Sequence, residues 1–325
     1  MRPFAVKSML AALLCSMGAL ATSAAAQTWP AKPVKIIAPF PPGGTVDQIS
    51  RLLGAEMSKN TGQQFIVENR AGASGSIGTA AAAKSAPDGY TFVMVFDTHA
   101  VNPALIEGMP FDTQKDLAPV MLIGTSPMAI IAHPTNPHKS FAEILTAAKT
   151  KPGSVAFGSI GSGSLGHLAF AQLGNRAGTE FNHIPYKGGG PLLTDALGGQ
   201  VPLSIATPLL VKPHVDAKKL IPLAVTGPAR IASLPGVPTV AELGFPGFSA
   251  SAWWAVLAPA GTPPALIARM HEEMTKAIRT PQITEKLAAQ GMEIVVSSPD
   301  QLAVFVKSEM DKWAKVVKDN KIKPD

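Results

Sequence analysis

Cysteine is almost absent from this 325-residue sequence: Cys15 stands alone. It lies in an N-terminal stretch that reads as a signal peptide over residues 1–26. Arg2 and Lys7 precede an apolar run from Met9 to Leu20, and Ala24, Ala25 and Ala26 form a small-residue cleavage site. Leu14 precedes Cys15 where lipid attachment would need a small residue, so plain cleavage near Ala26 is expected, with Gln27 as the new N-terminus. The exported chain then has no disulfide and no thiolate metal site, and its core must hold it together. Charge is also sparse. There are 28 Lys and Arg against 22 Asp and Glu, and Arg2 and Lys7 leave with the leader. The remaining basic residues are scattered without interleaved aromatics, which excludes a nucleic-acid surface but suits capture of an anion. No later apolar run is long enough to span a bilayer.

Familiar catalytic and nucleotide signatures are missing as well. No Gly-Lys-Ser/Thr occurs, and the segments Gly72 to Gly78 and Gly158 to Gly163 do not make a dinucleotide fingerprint with a well-placed acid. The seven histidines include no His-Glu-x-x-His; His271-Glu272 comes nearest, but Thr275 stands where the second histidine would be. No metal or cofactor is expected. Ser162 or Ser164 with His167 sketches a nucleophile and base, yet lacks a Gly-x-Ser-x-Gly elbow with an acidic partner. His167 reads instead as a helix-start residue that bonds loop backbone or ligand.

What is present is alternation. Strand-like runs such as Val34 to Ala38, Phe65 to Val67, Tyr90 to Phe96, Val155 to Phe157, Val201 to Ala206 and Leu220 to Val225 alternate with helical stretches, so the fold class is α/β. The first helix carries Val46, Ile49, Leu53 and Met57 on one face and stops near Gly62. Ser140 with Glu143 and Ser298 with Gln301 read as capping boxes. Chain crossings between two lobes are expected near Val120 to Ala132 and near Phe248 to Leu257, where Trp253 and Trp254 would pack.

Four Gly-rich loops each leave a strand and open a helix: Pro41 to Thr45, Gly72 to Gly75, Gly161 to Ser164, and Lys187 to Gly190. Glycine permits positive φ and close approach of a ligand, and a helix start offers unpaired N–H groups and a partial positive charge. Such loops can hold an anion without Lys or Arg. Two fall early and two in the middle, as a cleft between two lobes requires. Asp47, in the first turn of its helix, either satisfies backbone donors or holds a ligand amine. Asp97, Thr98 and His99 follow a buried strand at its C-terminal end, where α/β ligand sites lie, although Asp97 also suits a helix cap.

Taken in order, these segments resemble the Bug (TctC-like) family, the extracytoplasmic solute-binding receptors of tripartite tricarboxylate transporters. The resemblance rests on Pro39 to Asp47, Val67 to Gly78, Pro87 to Thr91, Thr98 to Pro103, Gly161 to Leu168, Pro185 to Gly188 with Leu197 to Val201, and Leu234 to Thr239. Here Gly189-Gly190-Pro191 follows Tyr186-Lys187-Gly188, where many members have Ala-Pro-Ala. The resemblance implies a two-lobed type II periplasmic-binding-protein fold with a ligand cleft between lobes. Its implied lobes are residues 27–125, then 126–249, then a return over 250–325. It implies a periplasmic monomer that takes a small carboxylate and passes it to the membrane subunits of a tripartite tricarboxylate transporter. A sensory receptor for a carboxylate and a Ser/His hydrolase are the alternatives. Carried over, Gly43, Gly44 and Thr45 face one carboxylate, with Ser74, Gly75, Thr98 and His99 completing the first lobe's share. Asp97 lies where ligand-specific contacts occur. Ser162, Gly163 and Ser164 with Lys187 and Gly188 close from the second lobe.

Overall fold

Two apolar cores, each built on its own sheet, organise the chain. The computed structural model describes residues 29–320 and residue 322; the expected signal peptide over residues 1–26 lies outside the described residues. Strands β1 (Val34–Ala38), β2 (Phe65–Asn69), β3 (Thr91–Phe96), β4 (Leu117–Pro127), β10 (Ser251–Pro259) and β11 (Glu293–Ile294) form the first sheet in the order β11-β4-β10-β3-β1-β2. Strands β5 (Ala129–Ala132), β6 (Ala156–Ser159), β7 (Asn182–Pro185), β8 (Leu203–Ala206) and β9 (Ile221–Val225) form the second in the order β7-β6-β8-β5-β9. In both sheets parallel βαβ pairs carry the helices, while β4, β5, β9 and β10 run antiparallel to their neighbours. Helices cover the faces, so central strands are buried on both sides and read as continuous apolar runs.

Helix α1 (Thr45–Thr61) buries Val46, Ile49, Leu53 and Met57 and ends on Gly62 at φ 73°, a left-handed cap that glycine takes without strain. The other helices used below are α2 (Ser76–Ala83), α3 (Thr98–Leu105), α5 (Leu165–Ala177), α6 (Gly189–Leu197), α7 (Pro208–Asp216) and α10 (Pro299–Asp319); α4 (Phe141–Thr150), α8 (Pro264–Ile278) and α9 (Pro281–Ala289) complete the set. Ser140 caps α4 through the Glu143 amide, and Ser298 and Gln301 close a full capping box on α10. Trp253, Leu302 and Val306 join the first core; Ala129, Leu192 and Val225 join the second.

The chain passes between sheets twice. Only Met128 separates β4 from β5, and the return runs over residues 226–250 before β10. Expectation and structure differ at the second crossing: the Trp253-Trp254 stretch is a central strand of the first sheet, paired with both β3 and β4. Successive strand side chains point to opposite faces. Trp253 therefore meets Phe305 edge-on at 5.4 Å, while Trp254 lies 5.2 Å from Phe96. Thr226 clasps the two crossings. Its amide donates to the Met128 carbonyl at 2.9 Å, and its hydroxyl accepts from the Met128 amide at 2.9 Å and donates to the Ala250 carbonyl at 2.6 Å.

Candidate functional site

The loops of the two sheets meet, and the contact is made by glycine. A Cβ on Gly190 would stand 2.5 Å from the Pro42 carbonyl oxygen, and one on Gly188 would stand 2.9 Å from Pro41 Cδ. Gly44 lies against Gly189 and Gly190, whose amide nitrogens are 3.6 and 3.7 Å from where its Cβ would be. Gly188 itself sits at φ 118°, and Gly43 at φ 83°, both favouring glycine. The starts of α1, capped by Gly44, and of α6, capped by Gly188, are thus brought to one place. First-turn amides of a helix have no partner within it, so this place gathers backbone donors from both lobes.

Beside it lies a narrow cavity of about 20 Å³, room for roughly one water molecule in this closed arrangement. Gly44, Thr45, Val46 and Gly189 line it, together with Thr207 at the start of α7. Phe40, Phe96, Met128, Ile160, Ala206 and Leu210 supply the apolar part of the lining. The Trp254 indole N–H donates to Thr45 Oγ1 at 3.1 Å and holds that side chain. None of these apolar lining positions was expected from the sequence. The signal available was position: Phe96 ends β3, Phe40 lies two residues past the end of β1, and Thr207-Pro208 is a helix-start pair without glycine.

The expected residues divide into groups. Gly43, Gly44, Thr45 and Gly188 come together at the seam. Ser74 and Ser162 also join the lobes: Ser74, at φ 50°, donates its hydroxyl to the Ser162 carbonyl at 3.0 Å. Gly75 packs on the Phe40 ring beneath them. Asp97 is a further cross-lobe contact, since its Oδ1 accepts from the Leu165 amide at the start of α5 at 3.4 Å. Its Oδ2 is buried with no hydrogen-bond partner among the described residues. Burial pushes this carboxyl well above the usual range, with the Leu165 amide opposing and the Glu309 charge adding to the rise. Thr98, next to it, is buried at the start of α3.

Other expected ligand positions require correction. Asp47 is consumed by its own loop: Oδ2 accepts from the Gly43 amide at 3.0 Å, and Oδ1 from Arg51 Nε at 2.8 Å and Asn69 Nδ2 at 3.0 Å. A carboxylate so engaged has little left for a ligand amine. His99 does not face the cavity. It stacks near Phe111 at 6.3 Å and borders a different pocket with Thr113, Leu117 and Val306. Burial lowers its pKa to about 4. Two residues along a helix differ by roughly 200°, so Asp97 and His99 take opposite sides once α3 begins. Ser164 is fully buried as the cap of α5, accepting from the His167 amide and donating to Ser159 Oγ at 3.1 Å. The His167 ring accepts the Gly163 amide at 3.2 Å through Nδ1 and stacks on His183 at 3.9 Å. A Ser164–His167 dyad is therefore not assembled; both stay in the second lobe's framework. Gly163, at φ 71°, faces Leu105. Lys187 is exposed and does not line the cavity.

Two lobes on two crossings, with facing helix starts over an interlobe cavity, define a solute-binding receptor fold. Comparison supplies the family. The family model described as the tripartite tricarboxylate transporter family receptor, TctC, matches residues 49–322. BugT of Bordetella pertussis is 39% identical over 302 residues, covering 92% of this chain and 93% of that protein. Among solved structures, Rpa4515 of R. palustris with adipate matches at TM-score 0.87 and 34% identity, over 91% of this chain and 99% of that one. MatC of Rhodopseudomonas palustris with bound malate matches at TM-score 0.84 and 28% identity, over 89% and 100%. This chain belongs to the TctC (Bug) family; it is a solute-binding receptor and not an enzyme.

Proposed function

We propose that this protein captures a small carboxylate in the periplasm and delivers it to the membrane subunits of a tripartite tricarboxylate transporter. The observation that carries the reading is the meeting of the α1 and α6 starts at Gly44 and Gly189, at the interlobe cavity. Ligand oxygens held by amides of both lobes would favour the closed arrangement over the open one. Charge-assisted bonds to backbone amides in a site shielded from water are strong and directional. The adipate- and malate-bound relatives support the ligand class. Export rests on the signal peptide, with cleavage near Ala26 leaving a monomer that begins at Gln27.

Calorimetric titration of the purified exported chain with mono-, di- and tricarboxylates tests the ligand class. Binding of at least one acid at micromolar level is expected. If no acid binds while another metabolite binds at that level, the reading fails. Capture of the transporter's membrane subunits from detergent extract tests the partner; recovery of a membrane sensor instead would favour signalling.

A further inference from the structure

Asp97 does not line the cavity, yet it joins the lobes at a second place. It sits between the end of β3 and the start of α3, and its Oδ1 accepts the Leu165 amide of the other lobe at 3.4 Å. That bond is long. The residue is fully buried, and Oδ2 has no hydrogen-bond partner among the described residues. Beside it Gly163 packs on Leu105 and Val101, and Ser74 reaches the Ser162 carbonyl, so the loop before α5 is pressed onto α3. The neighbouring elements bring no bonded cation. The first turn of α5 offers amides and His167, whose ring accepts the Gly163 amide. On one side of β3, β10 carries Trp253 and Trp254 at this level; on the other, β1 runs on into Pro39 and Phe40. Helix α10 brings Glu309, a like charge held by the Trp313 indole at 2.7 Å and by Lys312 at 3.3 Å. His99, on the helix that Asp97 opens, borders another pocket, and burial lowers its pKa to about 4.

A buried carboxylate with one long amide bond is strongly disfavoured against its neutral acid, and burial accordingly raises the Asp97 pKa well above the usual range. Parting the lobes takes the Leu165 amide away and lets water in, which returns the group toward an ordinary carboxylate. Building on the lobe-closure reading above, we propose that Asp97 couples closure to proton uptake: ionised with the lobes apart, its carboxyl takes one proton from solvent as the start of α5 seats on it. One O–H bond forms, and the remaining carbonyl oxygen still accepts the Leu165 amide. No charge is sealed into the seam. Because the ligand-bound, closed form holds the extra proton, capture strengthens as pH falls toward the ordinary carboxylate range.

Calorimetry in buffers of different ionisation enthalpy counts the protons exchanged when an acid of the panel binds the exported chain. At about pH 6.5 an ordinary ligand carboxylate stays ionised, so its own titration does not enter. There the wild type is expected to take up as much as about one proton per ligand, and its affinity to fall by up to about tenfold per unit rise in pH. Asp97→Asn keeps an acceptor for the Leu165 amide and is expected to bind with no proton uptake and a flat pH profile. Acid binding to the wild type without proton uptake would overturn the coupling and leave the carboxylate reading standing. Equal uptake in Asp97→Asn would overturn the assignment to Asp97. Binding by no acid would overturn both. Should Asp97→Asn fail to fold, infrared difference spectra of wild type carrying carboxyl-labelled aspartate decide: a labelled protonated-acid band that appears with ligand supports the coupling, and its absence overturns it.

Discussion

Gly190→Ala separates lobe closure from lobe stability. The added Cβ would stand 2.5 Å from the Pro42 carbonyl oxygen of the facing lobe. A carbon and a carbonyl oxygen rest at about 3.3 Å or more, so the seam must widen by roughly 0.8 Å there. Backbone blocks the way on the Pro42 side, and no side chain can rotate to make room. Overpacking of this kind costs about 1–3 kcal/mol. Charged to the closed state, that weakens ligand binding roughly 5- to 150-fold. The second lobe itself should not suffer. Gly190 lies inside the first turn of α6 without a positive φ, and alanine is a better helix former by up to about 1 kcal/mol. The expected result is weaker binding by calorimetry and a larger radius of gyration by small-angle scattering, with the melting temperature of the free protein unchanged or raised. Wild-type affinity together with a wild-type scattering curve would refute the glycine seam.

Three further perturbations test other parts of the account. Burial raises the Asp97 pKa in the fold above its unfolded value, so the wild type is most stable in acid and loses stability as pH rises from the ordinary carboxylate range toward the raised folded pKa. Asp97→Asn keeps an acceptor for the Leu165 amide and should melt higher at neutral pH, by about 2–4 °C per kcal/mol of burial cost relieved, with the gain vanishing in acid; equal melting at all pH values would reject it. His99 behaves oppositely, because its folded pKa of about 4 lies below the ordinary 6.5, and stability drains away as pH falls between those values by at most about 3 kcal/mol. His99→Leu should lose that acid sensitivity in pH-dependent melting while keeping ligand affinity, and a large loss of affinity would return His99 to the site. Thr226→Val removes two hydrogen bonds between the crossings and strands the Met128 amide, so urea denaturation should register a loss of about 1–3 kcal/mol, whereas an unchanged midpoint would mean the clasp carries no stability.

Local chemistry was readable from sequence wherever neighbours in the chain decide it. The buried face of α1, its glycine stop, the Ser140 cap and the Ser298–Gln301 box all depend on residues within a turn of one another. The glycine loops were readable for the same reason, because Gly43 and Gly188 answer a local demand for positive φ. What eluded the sequence depends on the partner across space. Trp253-Trp254 looked like a crossing, yet long-range pairing with β3 and β4 makes it a central strand. The C-terminal end of a buried strand and the family resemblance both point His99 toward the site, but the helical turn of α3 sends it to the far side. Ser164 and Asp47 have the chemistry of ligand contacts, and their own helix starts use it up. Apolar lining residues such as Ile160 and Leu210 look like ordinary core until the second lobe is set beside the first.

The most direct measurement is a ligand-bound crystal structure of the exported chain, grown with the tightest-binding acid of the calorimetric panel. Carboxylate oxygens within hydrogen-bond distance of amides at Thr45 or Val46 on one side and Gly189 or Gly190 on the other would bear the account out. An acid seated elsewhere, such as against His167 and His183, with those helix-start amides holding no ligand oxygen, would contradict it.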